Sequence, residues 1–356
     1  MIEVWNNCIS DKEISSLLSA VSNRQIMEGA ILKAFENKIA ELVGVKYAIG
    51  TSSGTAAITL SLMGIGVKPG DEVIVPDITF IATANAAHIL GAKVIVAPVD
   101  KVKLTLDFSK VDNLISERTK AIITTDLNGR ISCDKSITEK YNKKGIMVIA
   151  DSCQAFMSGN TKGMAGSLTN TGCFSFGITK TLTTVQGGMV VTNDFELYER
   201  MRIMKTQGMC SVFEGGYTYA GFNFKLPDVL ASIGMGQLER LTVKIKHMKE
   251  IAKTYCQELS GIEGLRFLER DKNEFVWMPE VVCQNRDKVR SVLKANDIGS
   301  RPLYEPLHTA KFLESPSFYG DISEVQKCLL ALPGGPDQAM EDVHKVIRTL
   351  KDNILV

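Results

Sequence analysis

The sequence predicts an α/β domain built on a buried, largely parallel sheet, followed by a smaller unit. Two observations carry this. Between Tyr47 and Ala150, short apolar runs alternate with amphipathic stretches in the order strand, helix, strand. A long helical pattern then runs from Pro227 to about Tyr255, and the strands beyond it are short. A third observation marks a site. Lys180 stands in the loop after the strand-like run from Gly172, and Asp151 ends the buried run Ile146–Ala150. Ligands on parallel sheets sit at the carboxyl ends of strands, which is where both residues fall.

Ser10 and Glu13 form a capping box, Ser-x-x-Glu, ahead of Ile14, Leu17, Leu18 and Val21 at helical spacing. A second helix spans Ile31 to Leu42, with Gly44 as its terminator. Tyr47–Gly50 is a short buried strand. It opens into Thr51–Thr55, a turn of small residues at the start of an Ala- and Leu-rich helix. Free amides, hydroxyls and the helix dipole suit that turn to a phosphate, although Ser and Thr also cap helices that bind nothing. It is not a P-loop, because no Gly-Lys-Ser/Thr ending follows. Gly64-Ile65-Gly66 is not a dinucleotide fingerprint either, since it follows a helix and precedes a strand.

Glu72–Val75, Val94–Ala97, Ala121–Thr125 and Ile146–Ala150 read as further strands. Phe80 stands at a strand-to-helix turn, where its ring could stack on a flat ligand or anchor the core. Helices are expected over Lys135–Lys144 and Phe195–Thr206, with the strand Gly187–Thr192 between them. Gly208–Phe224 lacks periodicity and reads as a long functional loop. Pro227 is expected at the first helical position. Strands near Leu265–Leu268 and Val276–Val282, a helix from Asp287 to Ala295 and a terminal helix from near Asp337 complete the chain.

Of 356 residues, 41 are Lys or Arg and 40 Asp or Glu, a balance that gives no electrostatic case for nucleic acid or a membrane surface. No stretch approaches the ~18 apolar residues of a membrane span. The eight cysteines include no C-x-x-C pair and no zinc spacing, so no metal is expected. They read as reduced thiols, which favours the cytoplasm. Cys153 and Cys173, beside the site, read as core residues.

A lysine and a carboxylate on loops after buried strands suggest Schiff-base chemistry with pyridoxal 5'-phosphate (PLP). The cofactor needs a protonated ring nitrogen, which a carboxylate favours, and an amine that first holds it and then moves protons. The ordered motifs resemble the DegT/DnrJ/EryC1/StrS sugar aminotransferases. Those motifs are Glu28-Gly29 with Phe35-Glu36, Ser53-Gly54-Thr55, Gly70–Pro76, Thr79–Asn85, Asp151–Ala155, Cys173–Phe176 with Lys180, Gly187-Gly188, Gly221–Asn223 and Pro306–His308.

The resemblance implies PLP fold type I, the aspartate-aminotransferase-like architecture. Its large domain (1–240) carries a mostly parallel seven-stranded sheet flanked by helices, and a smaller α+β domain (241–356) follows. By the same resemblance Lys180 would bond covalently to PLP and Asp151 would pair with the ring nitrogen. Gln154 would contact the ring hydroxyl and Phe80 would stack on the ring. Ser53, Gly54, Thr55 and Ser175 would bind the phosphate. Asn223 would reach the phosphate of a neighbouring subunit, which implies a homodimer with shared sites. Gln186, Tyr304 and His308 are substrate-side candidates.

Two stretches depart from the family pattern: Val185-Gln186, and Asp126–Arg130 in place of a His-Leu-Tyr-Gly run. Both are expected to face the substrate. Lys180 excludes the dehydratase branch, which has His there. The implied reaction moves an amino group from L-glutamate to a keto group of a nucleotide-linked sugar, a 4-keto-6-deoxyhexose, in amino-sugar and polysaccharide biosynthesis. A smaller keto phosphate or cyclitol acceptor, or a PLP-binding regulator without turnover, are the alternatives.

Overall fold

The computed structural model describes residues 1–210, 216–313 and 323–354. Two helices lead in, α1 (Asp11–Ser22) and α2 (Ala30–Val43). Glu13 accepts the Ser10 amide at 2.8 Å, as a capping box requires. Gly44 ends α2 in the left-handed region, φ 76°.

The order then alternates: β1 (Tyr47–Thr51), α3 (Gly54–Gly64), β2 (Glu72–Pro76), α4 (Ala82–Ile89), β3 (Lys93–Ala97), α5 (Phe108–Val111), β4 (Thr119–Thr125), α6 (Lys135–Asn142) and β5 (Met147–Asp151). A small hairpin follows, β6 (Gly159–Asn160) and β7 (Gly163–Met164), and then β8 (Thr171–Ser175) and β9 (Gly188–Thr192). Seven strands form one sheet in the order β1-β9-β8-β5-β4-β2-β3. Only β9 runs against its neighbours. Both faces are covered. Val73, Val75 and Ile123 pack on one side, Ile74, Ile122 and Val148 on the other, at the two-residue period of a strand.

After α7 (Phe195–Met204), α8 (Asp228–Leu259) runs for 32 residues, past the expected end at Tyr255. Its first half packs on the large sheet's helices. Its last turns, with Ile251, Tyr255 and Leu259, enter a second core. Pro227 caps α8 rather than opening it, and Asp228 turns its carboxylate to the amides of Gly29, Ile31 and Leu32 at the start of α2.

The second core lies on an antiparallel sheet of β10 (Leu265–Arg266), β11 (Glu280–Cys283), β12 (Arg301–Pro302) and β13 (Leu329–Ala331), in the order β10-β11-β13-β12. Helices α9 (Arg286–Ala295), α10 (Ser323–Cys328) and α11 (Met340–Ile354) complete this unit. Ile2 and Trp5 bridge to Ile298 and Gly334 in it. The strand expected from Val276 starts only at Glu280. The Asn128 side chain takes both the N–H and the C=O of Met278, leaving that residue no ladder partner. The terminal helix starts at Met340 rather than Asp337, whose carboxylate is held by the Cys8 amide and Arg240. Among the described residues, no helix is long and apolar enough to cross a membrane, and no group of His, Cys, Asp or Glu is placed to hold a metal ion.

Candidate active site

Because β1, β5 and β8 run the same way, Thr51, Asp151 and Ser175 end on one edge of the sheet. The loops there enclose a cleft of about 690 Å³. Ser53, Gly54 and Thr55 form one wall at the N-terminus of α3. The Ser53 hydroxyl accepts the Ala56 amide at 3.1 Å, and the Gly54 and Thr55 amides donate to no group among the described residues. Glycine is required at 54. A Cβ there would lie 2.7 Å from Cys153 Sγ and 2.8 Å from Ser175 Cβ. Gly188 serves the same packing, since a Cβ on it would stand 2.3 Å from the Ser53 carbonyl oxygen. The paired glycines therefore let β9 slide under the turn, and the turn presents free donors to the cleft. That arrangement fits a phosphate group.

Lys180 lies across the cleft, half-buried, its Nζ 4.2 Å from the centre of the Trp277 ring. Burial pushes its ammonium below the ordinary lysine range and Arg301 adds to this, while Cys153 and Asp151 pull it back up. The loop itself is pinned from far away in sequence. Trp277 Nε1 donates to the Thr179 carbonyl at 2.9 Å, and Asn7 Nδ2 donates to the Lys180 carbonyl at 2.8 Å. Asn7 in turn accepts the buried Lys244 ammonium at 2.7 Å. Lys244 also reaches Gln237 and Asp337.

Asp151 is 5% exposed and opens into the cleft. Thr83 donates to its Oδ2 at 2.6 Å, and the Cys153 amide donates to Oδ1 at 3.2 Å. Since the Thr83 proton is committed, Thr79 donates to Thr83 at 2.9 Å, and Thr125 donates to Thr79 at 3.1 Å. Three hydroxyls thus form a directed chain ending on the carboxylate. Each hydroxyl in the chain is polarised by the next, and the chain fixes the orientation of the Asp151 carboxylate.

The remaining expected residues divide. Gln154, Gln186 and Tyr304 line the cleft. Phe80 lies at its rim, 55% exposed, so it is not a core anchor. Tyr304, expected on the substrate, spends its hydroxyl on Gln154 Oε1 at 3.1 Å. His308 does not line the cleft. Its Nδ1 faces buried Asp77 at 2.8 Å and its amide bonds the same carboxylate, an anchor for the Pro306–Thr309 turn. Asn223 is exposed, pairs with Thr206 and is absent from this chain's cleft.

Asp126–Arg130 does not face the substrate. All five residues are buried where the two sheets meet, with Arg130 and Arg270 both paired to Glu280. Cys153 does line the cleft, while Cys173 is buried in the core against Ser61. Sequence reasoning missed Thr83, Trp277, Arg301 and Asn7. Thr79 and Thr83 carried a signal, as hydroxyls four residues apart at a helix start beside a strand end. The other three come from the ends of the chain and had none.

A half-buried lysine of depressed pKa, a buried aspartate and a phosphate-sized turn on one parallel-sheet edge define a PLP-binding class of enzyme. Comparison with known proteins agrees. Residues 7–351 match the model of the DegT/DnrJ/EryC1/StrS aminotransferase family. The chain is 35% identical over 289 residues to a GDP-perosamine synthase of Caulobacter vibrioides, 79% of this chain and 78% of that one. It is 33% identical over 311 residues to the enzyme of that name from Escherichia coli O157:H7, 86% of this chain and 82% of that one. The crystal structure of the aminotransferase TlmJ from Streptoalloteichus hindustanus superposes with a TM-score of 0.92 at 29% identity, covering 99% of this chain and 98% of that one. The chain belongs to the DegT/DnrJ/EryC1/StrS family and is a PLP-dependent aminotransferase.

Proposed function

We propose that this enzyme transfers an amino group from L-glutamate to the keto group of a nucleotide-linked 4-keto-6-deoxyhexose, in the cytoplasm, for an amino-sugar-containing glycan. The observation that carries the reading is Lys180 and Asp151 meeting in one cleft opposite the free amides of Gly54 and Thr55. The similarity to GDP-perosamine synthases supports the sugar class.

Ser53–Thr55 and Ser175 would hold the cofactor's phosphate, Phe80 its ring face and Gln154 its ring hydroxyl. Once bound, PLP supplies an electron sink for the carbon that carries the transferred amino group. Asp151, oriented by the threonine chain, would pair with the ring nitrogen. Lys180 would hold the cofactor, and its neutral amine would serve as the base that moves a proton at the amino donor's α-carbon. The depressed pKa of Lys180 raises the neutral fraction that this step needs. Trp277 covers the amine and keeps water from it. Gln186 and Arg301 face the remaining space, where the acceptor would lie.

Asn223, outside its own cleft, would reach the partner's cofactor in a homodimer. Residues 1–240 would form the cofactor domain and 241–356 the smaller one. Mixing Lys180→Ala subunits with Asn223→Ala subunits should restore activity, because one site per mixed dimer is then intact; no recovery would refute shared sites.

The purified protein is expected to be yellow and to lose its visible band on addition of L-glutamate. The band should return with a nucleotide-linked keto sugar. Return only with small keto phosphates or cyclitols would overturn the sugar assignment, and a band indifferent to every amino donor would overturn turnover itself.

A further inference from the structure

Gln154 is 8% exposed, and both donors that reach it point at one atom. The Asn128 amide lies 3.0 Å from Oε1, and the Tyr304 hydroxyl lies 3.1 Å from the same oxygen. A backbone N–H can only donate, so the atom facing it is the carbonyl oxygen and the amide cannot be reversed. The carbonyl has two lone pairs, and the two donors fill both. The NH₂ end is left facing the cleft, and it bonds to no group among the described residues. We propose that Tyr304 is a positioning residue: with the Asn128 amide it locks the Gln154 side chain so that its N–H groups are aimed at an oxygen of the bound cofactor. This rests on the PLP reading of the cleft.

The surroundings show that both donors are held at some cost. Tyr304 and Asn128 each sit in the left-handed backbone region, at φ 56° and 50°. A tyrosine there is strained, and the strain points its hydroxyl inward. Asn128 is held from three sides. Its side chain bonds both backbone groups of Met278, and its carbonyl accepts Arg270 Nη1 at 2.6 Å. Arg270 is fixed by Glu280, which also pairs Arg130. Burial also pushes the Tyr304 phenol up, so it stays a donor through the working pH range. The Asp126–Arg130 departure from the family pattern therefore acts on the cofactor side of the site through Gln154, without touching substrate.

A donor on the ring hydroxyl oxygen stabilises its anionic form and weakens its hold on the neighbouring proton. Without the donor, that proton is held to higher pH. The test is the pH midpoint of the visible band of the loaded enzyme, measured for wild type, Tyr304→Phe, Gln154→Ala and the double variant. Gln154→Ala should raise the midpoint by about one pH unit and Tyr304→Phe by about half a unit. The double variant should match Gln154→Ala alone, because Tyr304 acts only through that side chain. The kcat of Tyr304→Phe should fall with KM for the acceptor unchanged. A rise in acceptor KM with no spectral shift would overturn the proposal and return Tyr304 to the substrate. Additive shifts would overturn it as well. A wild-type protein with no visible band would sink the PLP reading first, so the two failures are distinguishable.

Discussion

Replacing Gly54 with alanine separates the phosphate turn from the rest of the site. The new Cβ would stand 2.7 Å from Cys153 Sγ and 2.8 Å from Ser175 Cβ, against the 3.4 Å where ordinary contact begins. Ser175 cannot yield, since β8 is paired on both sides by β5 and β9. The start of α3 must therefore retreat by roughly half an ångström or more, at about 1–3 kcal/mol of overpacking. The Gly54 and Thr55 amides retreat with it. Weakening charge-assisted bonds worth about 1.5–3 kcal/mol each should lower PLP affinity by roughly 10- to 100-fold. The assay is titration of the apoenzyme with PLP, and in parallel with pyridoxal, which lacks the phosphate. Pyridoxal affinity should hardly change. Wild-type PLP affinity in the variant, or equal losses for both ligands, would refute the assignment of this turn to the phosphate.

Lys180→Met removes an ammonium whose pKa burial depresses. Below the unfolded-state value of about 10.5 the unfolded chain binds more protons, so wild-type apoenzyme gains stability as pH rises through that window. The variant should melt higher than wild type at pH 7, and the gap should close toward pH 10. A gap independent of pH would contradict the depressed pKa. Thr83→Val removes the donor on Asp151 and strands the Thr79 hydroxyl; kcat should drop about tenfold, the equivalent of one lost bond of about 1.4 kcal/mol. Unchanged kcat would release the hydroxyl chain from any role. Asn7→Ala leaves the buried Lys244 short of a partner and frees the Lys180 loop. It should cost about 2–4 kcal/mol in denaturant unfolding of the apoenzyme. Asn7→Asp keeps the Lys244 partner but cannot donate to the loop carbonyls, so it should still speed PLP release, as read from loss of the visible band in a competing trap.

The large sheet was readable because its physics is local. Runs such as Val73–Val75 and Ile146–Ala150 are apolar without interruption, as buried parallel strands must be. Their ends mark where Asp151 and the phosphate turn had to lie. Small residues told the same story, with Gly44 ending a helix and Gly188 admitting the Ser53 backbone. What stayed hidden depends on partners distant in sequence. Asp126–Arg130 is polar and follows a strand, which reads as a substrate loop. It is buried because Met278, Glu280 and Arg270 arrive from the second sheet to satisfy it. The Nδ1 of His308, a substrate-side candidate in the sequence, faces buried Asp77, a partner more than two hundred residues away in sequence. Nothing near Asn7 indicates that it holds the lysine loop, since its partners lie beyond residue 170.

That last contact has a consequence for the order in which the protein is made. Asn7 leaves the ribosome early, whereas Lys244, which bonds it, and Asp337, which bonds Lys244 and the neighbouring Cys8 amide, leave much later. A chain synthesised only through Ala310 already contains every residue that lines the cleft, yet its lysine loop lacks part of its clamp. Firm retention of the cofactor is therefore a property of the finished polypeptide. A truncation far from the cleft, just before Asp337, would give a protein that takes up PLP but keeps it less firmly.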